Sequence, residues 1–394
     1  MFKLSFKYLI LLAIFFVVLL TSLWPNNIYV LVFFSLLSYI CLPINKYWDG
    51  VTITLLGFSI LYSAMTLMTS QYGSGFILAS YLIAPVAFYR FGRWTMSYFP
   101  DENSRQKLLF LIIGCYLCSL FFMTFKDITV VGIVNVSRVM VGDMSDGESL
   151  AATLYGLMAA VGLGSIAALF IKGQNFWLRT GYILLALLSL LVVIHLVNRT
   201  GIVIVLLCTL VTFILSSKIN LSRGFFAIII LGVLSVVLVN SEILSGEVLD
   251  AYQQRESDTS VDTYQLGGRT EIWSDAITNL LTHPLGWERV RYAHNLWLDI
   301  GRIGGWITLF LFLIATFVWM KSIIHLIKNA RTPFSYMIIS TNLSMLLASS
   351  VEPVIDGSIS FFLLLLMIWG ITISLSKEIT KSYHGNFIHR KVLY

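Results

Sequence analysis

The sequence predicts an all-α polytopic membrane protein with about twelve transmembrane helices. Of its 394 residues, 58% are hydrophobic and only 12% are charged, and the mean hydropathy is +0.85. Soluble domains carry roughly 25% charged residues. A span needs about 20 mostly apolar residues, and runs near this length recur along the chain. The composition therefore excludes a soluble globular protein.

Twelve apolar stretches are the candidate spans, and several are short enough to be tilted or re-entrant. We expect residues 1–394 to form a single membrane domain, with 241–303 as one large helical outer loop. The candidate spans are 8–24, 28–43, 51–69, 74–92, 107–125, 150–171, 176–198, 200–216, 224–240, 304–324, 335–351 and 359–376.

The basic residues predict which side of the membrane each loop faces. With the N-terminus inside and the spans alternating, 18 of the 26 Lys and Arg residues fall in inner segments. Cytoplasmic loops carry such an excess. We therefore expect both termini in the cytoplasm. The net charge of +6 mostly reflects this excess and does not indicate nucleic-acid binding.

The four cysteines all fall inside predicted spans, so no disulfide framework is expected. The first span follows two lysines, as a signal peptide does, but no small-residue cleavage site comes after it. We expect this span to be a retained helix.

One polar stretch, 267–305, holds four arginines and two of the six histidines, far more polar chemistry than spanning a bilayer requires. Apolar residues at helical spacing predict a helix over 269–282, on the membrane surface or against the bundle, ended by the turn 283–286. A second helix is expected to start near His294, and Gly304 and Gly305 allow it either to bend or to pack closely as the next span begins. We predict that this stretch holds the reaction centre.

Two further outer arginines are candidates for chemistry. Arg138 lies among apolar residues on the outer side, where the charge rule predicts no excess of basic residues. Arg199 follows Asn198 between two long apolar runs. It is either a snorkelling interfacial arginine or a cation aimed at a lipid-linked anion. His195, one turn earlier, is interpreted as a packed residue.

The outer segments of the chain carry several short motifs: Asn198-Arg199, Gly268-Arg269 with Trp273 and Ala276, Pro284 with Gly286, His294-Asn295 with Leu298, and Gly301 with Gly304. These motifs resemble those of the O-antigen ligase and O-antigen polymerase family of bacterial envelope glycosyltransferases, over roughly 130–305. Arg138, ahead of a long apolar span, adds to this resemblance. The sequence departs from the family pattern at 287–289, where a second glycine is expected.

The resemblance implies a glycosyltransferase C-like membrane fold that works at the periplasmic face of the bacterial inner membrane. The donor is expected to be a glycan on undecaprenyl diphosphate, so no nucleotide sugar and no cofactor are expected. The expected partners are this donor, a glycan acceptor and membrane lipid, with a chain-length regulator as a further candidate and no nucleic acid.

The expected donor assigns roles to the arginines. Its leaving group is a diphosphate, and guanidinium groups are always charged and match phosphate geometry. We assign diphosphate binding to Arg199 and Arg269, supported by Arg138 or Arg291. No Asp-x-Asp motif lies in an outer loop and no His/Cys cluster has metal-ligand spacing, so no metal is expected.

The acceptor hydroxyl must lose a proton, and a neutral imidazole suits this task. His294 is the candidate base or hydroxyl-orienting group, with a helix-capping role as the alternative. His283 precedes a proline in a turn and is interpreted as structural.

Four further residues are candidates for binding or orienting sugars. Asp299 and Glu288 either bind sugar hydroxyls or orient a catalytic histidine. The alternative is that they lie on a solvated helix face or loop. Trp273 either stacks on a sugar or is an interfacial tryptophan. Asn295 is a candidate because it is part of the His294-Asn295 motif.

The leading hypothesis is polymerisation of undecaprenyl-diphosphate-linked oligosaccharide repeats into O-antigen or a related surface polysaccharide. The compact segment between Pro284 and His294 leaves little loop for a large acceptor, which favours this over the ligase that transfers the glycan to lipid A-core. A lipid-linked sugar transporter or flippase is the alternative from another class. Such proteins place ionisable residues near the bilayer midplane, whereas here the polar density lies at the outer face.

Overall fold

The computed structural model describes residues 5–24, 27–43, 47–68, 75–135, 151–216, 269–286 and 293–391. Within them every regular element is a helix, so the all-α prediction is confirmed. The helices are α1 Phe6–Leu20, α2 Asn27–Cys41, α3 Gly50–Met68, α4 Gly75–Tyr98, α5 Glu102–Val131, α6 Ala151–Leu163 with a 3-10 turn Gly164–Leu169, α7 Phe176–His195, α8 Arg199–Ser216, α9 Arg269–Thr282, α10 Leu296–Asn329, α11 Pro333–Val351, α12 Val354–Gly357 and α13 Ile359–Lys391.

Eight described helices are long and apolar enough to cross a membrane, and three shorter apolar helices (Phe6–Leu20, Asn27–Cys41 and Leu154–Leu169) accompany them. Together they account for eleven of the twelve predicted stretches, and the twelfth, 224–240, lies outside the described residues. The polytopic prediction is thus confirmed.

Some predicted boundaries are wrong. The stretch 107–125 is part of the longer α5, because Asp101 caps its first turn, accepting a hydrogen bond from Ser104 N at 2.8 Å. Lys126 and Asp127, which follow the predicted span 107–125, therefore lie on a helix. The stretch 176–198 ends earlier, since α7 stops at His195.

Close backbone contact joins α4 to α13 at the centre of the bundle. A Cβ added to Gly92 would lie 2.0 Å from Met367 O, and one added to Gly370 would lie 2.2 Å from Tyr89 O. Small residues let membrane helices approach in this way. This packing fixes the depth of α4 and α13 relative to each other.

The helix ends form two groups at opposite ends of the bundle. One end holds ion pairs from Asp49 to Arg93 at 2.9 Å and to Lys377 at 3.1 Å, and from Arg105 to Glu378 at 2.9 Å. The three basic residues among them are part of the 18 that the charge rule assigns to the inner side. The starts of α8, α9 and α10 and the end of α11 lie at the other end, which we call the polar end.

Helix α9 runs alongside the first part of α10, in the same direction. Trp273 Nε1 donates to Ala293 O at 2.8 Å, and Trp306 N donates to Pro284 O at 2.9 Å. Ala276 and Leu280 are buried against the bundle, whereas Leu281 is 67% exposed. The predicted helix, and its docking against the bundle, are confirmed.

Candidate active site

Three helix starts converge on one carboxylate at the polar end. Arg199 is the first residue of α8, Arg269 is the first residue of α9, and Asn295 caps α10. Glu352, which directly follows α11, lies among them and is nearly buried. Helix N-termini carry unsatisfied N–H groups and partial positive charge, so this arrangement favours anions.

Glu352 connects these elements through both of its oxygens. Its Oε1 accepts hydrogen bonds from Arg269 Nη2 at 3.1 Å and from Thr200 Oγ1 at 3.3 Å. Its Oε2 lies 4.0 Å from His294 Nδ1. The sequence analysis missed Glu352 as a site residue. The available signal was an acid at the outer end of a predicted span, followed by Pro353.

His294 adopts a backbone conformation that is uncommon for a residue with a side chain. Its φ is 51°, in the left-handed region. The Asp299 carboxylate holds this turn, accepting from Ala293 N at 2.7 Å and from Asn295 N at 3.3 Å. The Trp273 bond to Ala293 O adds a third tie. Strained residues persist where the surroundings determine them so fully, and they cluster at functional sites.

The imidazole of His294 is neutral at neutral pH. Burial, and then the nearby Arg269 guanidinium, lower the pKa of His294 from 6.5 to about 4. Its Nδ1 is buried and has no hydrogen-bond partner among the described residues. The side chain nevertheless remains 32% exposed. His294 is therefore accessible and in the protonation state that accepts a proton.

Asp299 is fully buried, so the solvated-face alternative is wrong for this residue. Besides holding the His294 turn, it pairs with Arg302, whose Nε lies 3.4 Å from Asp299 Oδ1. Arg302 is itself 1% exposed and also donates to Asp356. Asp299 thus holds the backbone on either side of His294, and its role toward a catalytic histidine stays a prediction.

Asn295 and Trp273, predicted to bind or orient sugars, make structural contacts. Asn295 Oδ1 accepts from Trp297 N at 3.1 Å and from Leu298 N at 3.2 Å, while Nδ2 donates to Ser350 O at 3.0 Å. It therefore caps α10 and joins it to α11. Trp273 is half-buried, and its indole N–H donates a hydrogen bond to Ala293 O.

Two glycines dock the turn after α9 against the bend in α10. Gly286 has φ 103° and Gly305 has φ 67°, and α10 bends at Gly305, which is one of the two alternatives expected there. A Cβ on Gly286 would lie 2.7 Å from Ile303 O, and one on Gly305 would lie 2.3 Å from Pro284 O. Only glycine satisfies both the space and the φ here.

A second buried histidine lies just before Arg199. His195 is fully buried, as predicted, with Nε2 2.8 Å from Asp127 Oδ2 and Nδ1 2.9 Å from Ile133 O. Asn135 Nδ2 also donates to Asp127 Oδ2, at 2.6 Å. We call these residues (Asp127, Ile133, Asn135 and His195) the His195 network. No local pattern in the sequence indicates that Asp127 lies beside His195.

The turn between α7 and α8 sets the position of Arg199. Asn198 N donates to Val193 O at 2.9 Å and Val197 N donates to Ile194 O at 3.1 Å, which is the Schellman pattern. Val197 stands at the left-handed position, with φ 50°, where glycine is usual. Asn198 Oδ1 then accepts from Gly201 N at 3.2 Å and caps α8.

Several predicted site residues remain untested. Arg138, Glu288 and Arg291 lie outside the described residues, and their roles stay predictions. His283 is described and lies at the exposed end of α9, where its Nδ1 is 2.9 Å from Thr282 Oγ1. In the described part of the chain, no group of three or more His, Cys, Asp or Glu residues is placed to hold a metal ion.

The fold and site define a polytopic membrane protein with a basic, histidine-containing site at one end of its helix bundle. Residues 184–287, about a quarter of the chain, match the family model described as O-antigen ligase. This match includes Arg199 and Arg269 and supports the resemblance to the O-antigen ligase and polymerase family, a family of glycosyltransferase-like membrane enzymes. A search of the curated proteins finds no match.

Proposed function

We propose that this chain transfers a glycan from an undecaprenyl-diphosphate-linked donor to a sugar hydroxyl, at the periplasmic face of the bacterial inner membrane and without a metal ion. One observation carries the proposal. Arg269 and His294, a cation suited to a diphosphate and a neutral base, meet at Glu352 among three helix starts.

The arginines suit the leaving group. As the glycosyl bond breaks, negative charge builds on the diphosphate oxygens, and preorganised cations stabilise such charge. Arg269 is 24% exposed and Arg199 is half-buried, so both side chains are accessible from outside the bundle. Each begins a helix whose N-terminal dipole adds to the attraction. Arg138 and Arg291 remain supporting candidates from the sequence.

His294 suits the acceptor. The acceptor hydroxyl oxygen forms a bond to the anomeric carbon of the donor, whose bond to the diphosphate oxygen breaks. The hydroxyl proton passes to the neutral imidazole of His294, and undecaprenyl diphosphate leaves with the bonding electron pair. A diphosphate beside the imidazole would raise the pKa of His294, because an anion favours the charged form. The donor therefore makes the histidine a better base.

Polymerisation is the leading form of this activity, and the compact segment between Pro284 and His294 is the feature that favours it. Ligation to lipid A-core is the second candidate, favoured by the description of the matching family model. The two activities differ in the acceptor and use the same donor chemistry.

The test uses purified protein in liposomes with an undecaprenyl-diphosphate-linked oligosaccharide repeat, first alone and then with lipid A-core. A ladder of products from the repeat alone would identify a polymerase. A single transfer that requires lipid A-core would identify a ligase. Lack of product in both arms, with labelled donor moving between leaflets, would overturn the proposal in favour of transport.

A further inference from the structure

We propose that Glu352 is a positioning residue that moves between two partners: it pairs with Arg269 before the donor binds and with His294 Nδ1 once the lipid diphosphate occupies Arg269. This inference rests on the proposed function and adds a residue to it. Neither the motifs nor the family match, which ends at residue 287, includes Glu352.

The first support is the position of the carboxylate. Glu352 lies 3.1 Å from the Arg269 guanidinium through Oε1 and 4.0 Å from His294 Nδ1 through Oε2. A charge-assisted hydrogen bond needs about 2.8 Å, so a shift of about 1 Å would complete the contact with His294. Catalytic hydrogen bonds are often long in the absence of substrate.

The second support is the unsatisfied nitrogen on His294. Its Nδ1 is buried with no hydrogen-bond partner among the described residues. A buried donor without a partner costs about 1–3 kcal/mol, so it is normally explained by a function. Glu352 is the acidic residue that the structure places beside this nitrogen. An N–H at Nδ1 that donates to Glu352 leaves Nε2 with the lone pair that a base requires.

The third support is electrostatic. The charged groups that the described structure places around the imidazole are Arg269 on α9 and Glu352 after α11, while Asp299 on α10 holds the backbone on either side of His294. Arg269 lowers the pKa of His294. A diphosphate on Arg269 would offset that guanidinium charge and repel Glu352. Both changes favour a proton on His294, at the moment when the reaction delivers one.

If Glu352 moves between these two partners, the Glu352→Gln variant should bind undecaprenyl diphosphate more tightly but turn over more slowly. The variant keeps the shape but removes an anion that competes for Arg269, so undecaprenyl diphosphate should bind on the order of tenfold more tightly. The same variant should lower kcat about 10–100-fold, as losing the partner of an oriented histidine does in metal sites. Glu352→Asp, which keeps the charge, should restore part of kcat. A purely structural residue would not give tighter binding with slower turnover.

The experiment measures undecaprenyl diphosphate binding to the full-length protein in nanodiscs, and kcat in the liposome assay. Glu271→Gln is the matched control, because it removes an exposed acid from the first turn of α9 and should change neither value. Weaker or unchanged lipid binding in Glu352→Gln would overturn the inference. The binding arm needs no turnover, so a wild-type protein that makes no glycan product would contradict the proposed function separately.

Discussion

The polar end of the bundle contains two histidines, and their surroundings differ in one decisive respect. His195 is fully buried and both ring nitrogens lie within hydrogen-bond distance of oxygen, at 2.8 and 2.9 Å. His294 is 32% exposed, and its Nδ1 lies 4.0 Å from Glu352. Each is in or near a left-handed turn, at Val197 and at His294 itself.

The comparison shows how a structural histidine differs from one that is available for chemistry. Ile133 O accepts only, so His195 Nδ1 is the donor of that hydrogen bond, and His195 Nε2 is engaged by Asp127 Oδ2. No ring position is left for a substrate. His294 has an unsatisfied nitrogen, an accessible ring and an acid nearby. The following predictions test this distinction.

The largest expected effect is on turnover. His294→Ala should lower kcat about 10²–10⁴-fold, because general base catalysis contributes that much. Its thermal stability should stay close to that of wild type. The liposome assay and thermal unfolding in detergent measure the two effects, with His283→Ala, at the exposed end of α9, as the control. Wild-type turnover in His294→Ala would remove this residue from the mechanism.

His195→Ala should act mainly on stability. Removing the imidazole takes away one hydrogen-bond partner of the buried Asp127 carboxylate, while Asn135 remains, and the loss of such a buried partner costs about 1–3 kcal/mol. Thermal unfolding measures the loss. The His195→Ala/Asp127→Ala double variant should lose less than the sum of the two single variants, because both remove one interaction. Additive losses would show that the two side chains are not coupled.

The dependence of kcat/KM on pH should show whether His294 acts as the base. The base must be neutral, so kcat/KM should fall as the pH drops through the pKa of His294, which is about 4. The rate should be flat from about pH 7 to pH 5.5 and then decrease about tenfold per pH unit below the pKa. A limb centred near the ordinary value of 6.5 would instead mean that His294 is well solvated or is not the base.

The smallest expected effect concerns the turn that precedes Arg199. Val197→Gly and Val197→Ala both delete a buried side chain, but only glycine accepts φ 50° without steric cost. The glycine variant should be more stable than the alanine variant by about 1 kcal/mol. Thermal unfolding of the pair tests this, and equal stabilities would mean that the left-handed turn is not strained.

Local sequence patterns were sufficient to predict the spans, the helices α9 and α10, and a bend or close packing at Gly304 and Gly305. Hydrophobic periodicity and the turn residues around Pro284 determine local structure over a few positions. Such short-range patterns can therefore be recognised in a single sequence. The same holds for Arg199 and Arg269, since each arginine lies at a boundary between polar and apolar residues that becomes a helix start.

The sequence by itself determined that this is a polytopic membrane protein, that residues 184–287 are similar to the O-antigen ligase family model, and that arginines and a histidine lie near the starts of helices. Only the tertiary structure decided which acids accompany them. Arg269 and Glu352 are 83 residues apart, and Asp127 and His195 are 68 apart. Such pairs depend on the depth at which each packed helix ends, and no local pattern encodes that depth. The tertiary structure therefore makes Glu352, rather than a residue of the motif, the carboxylate that joins the arginine to the histidine.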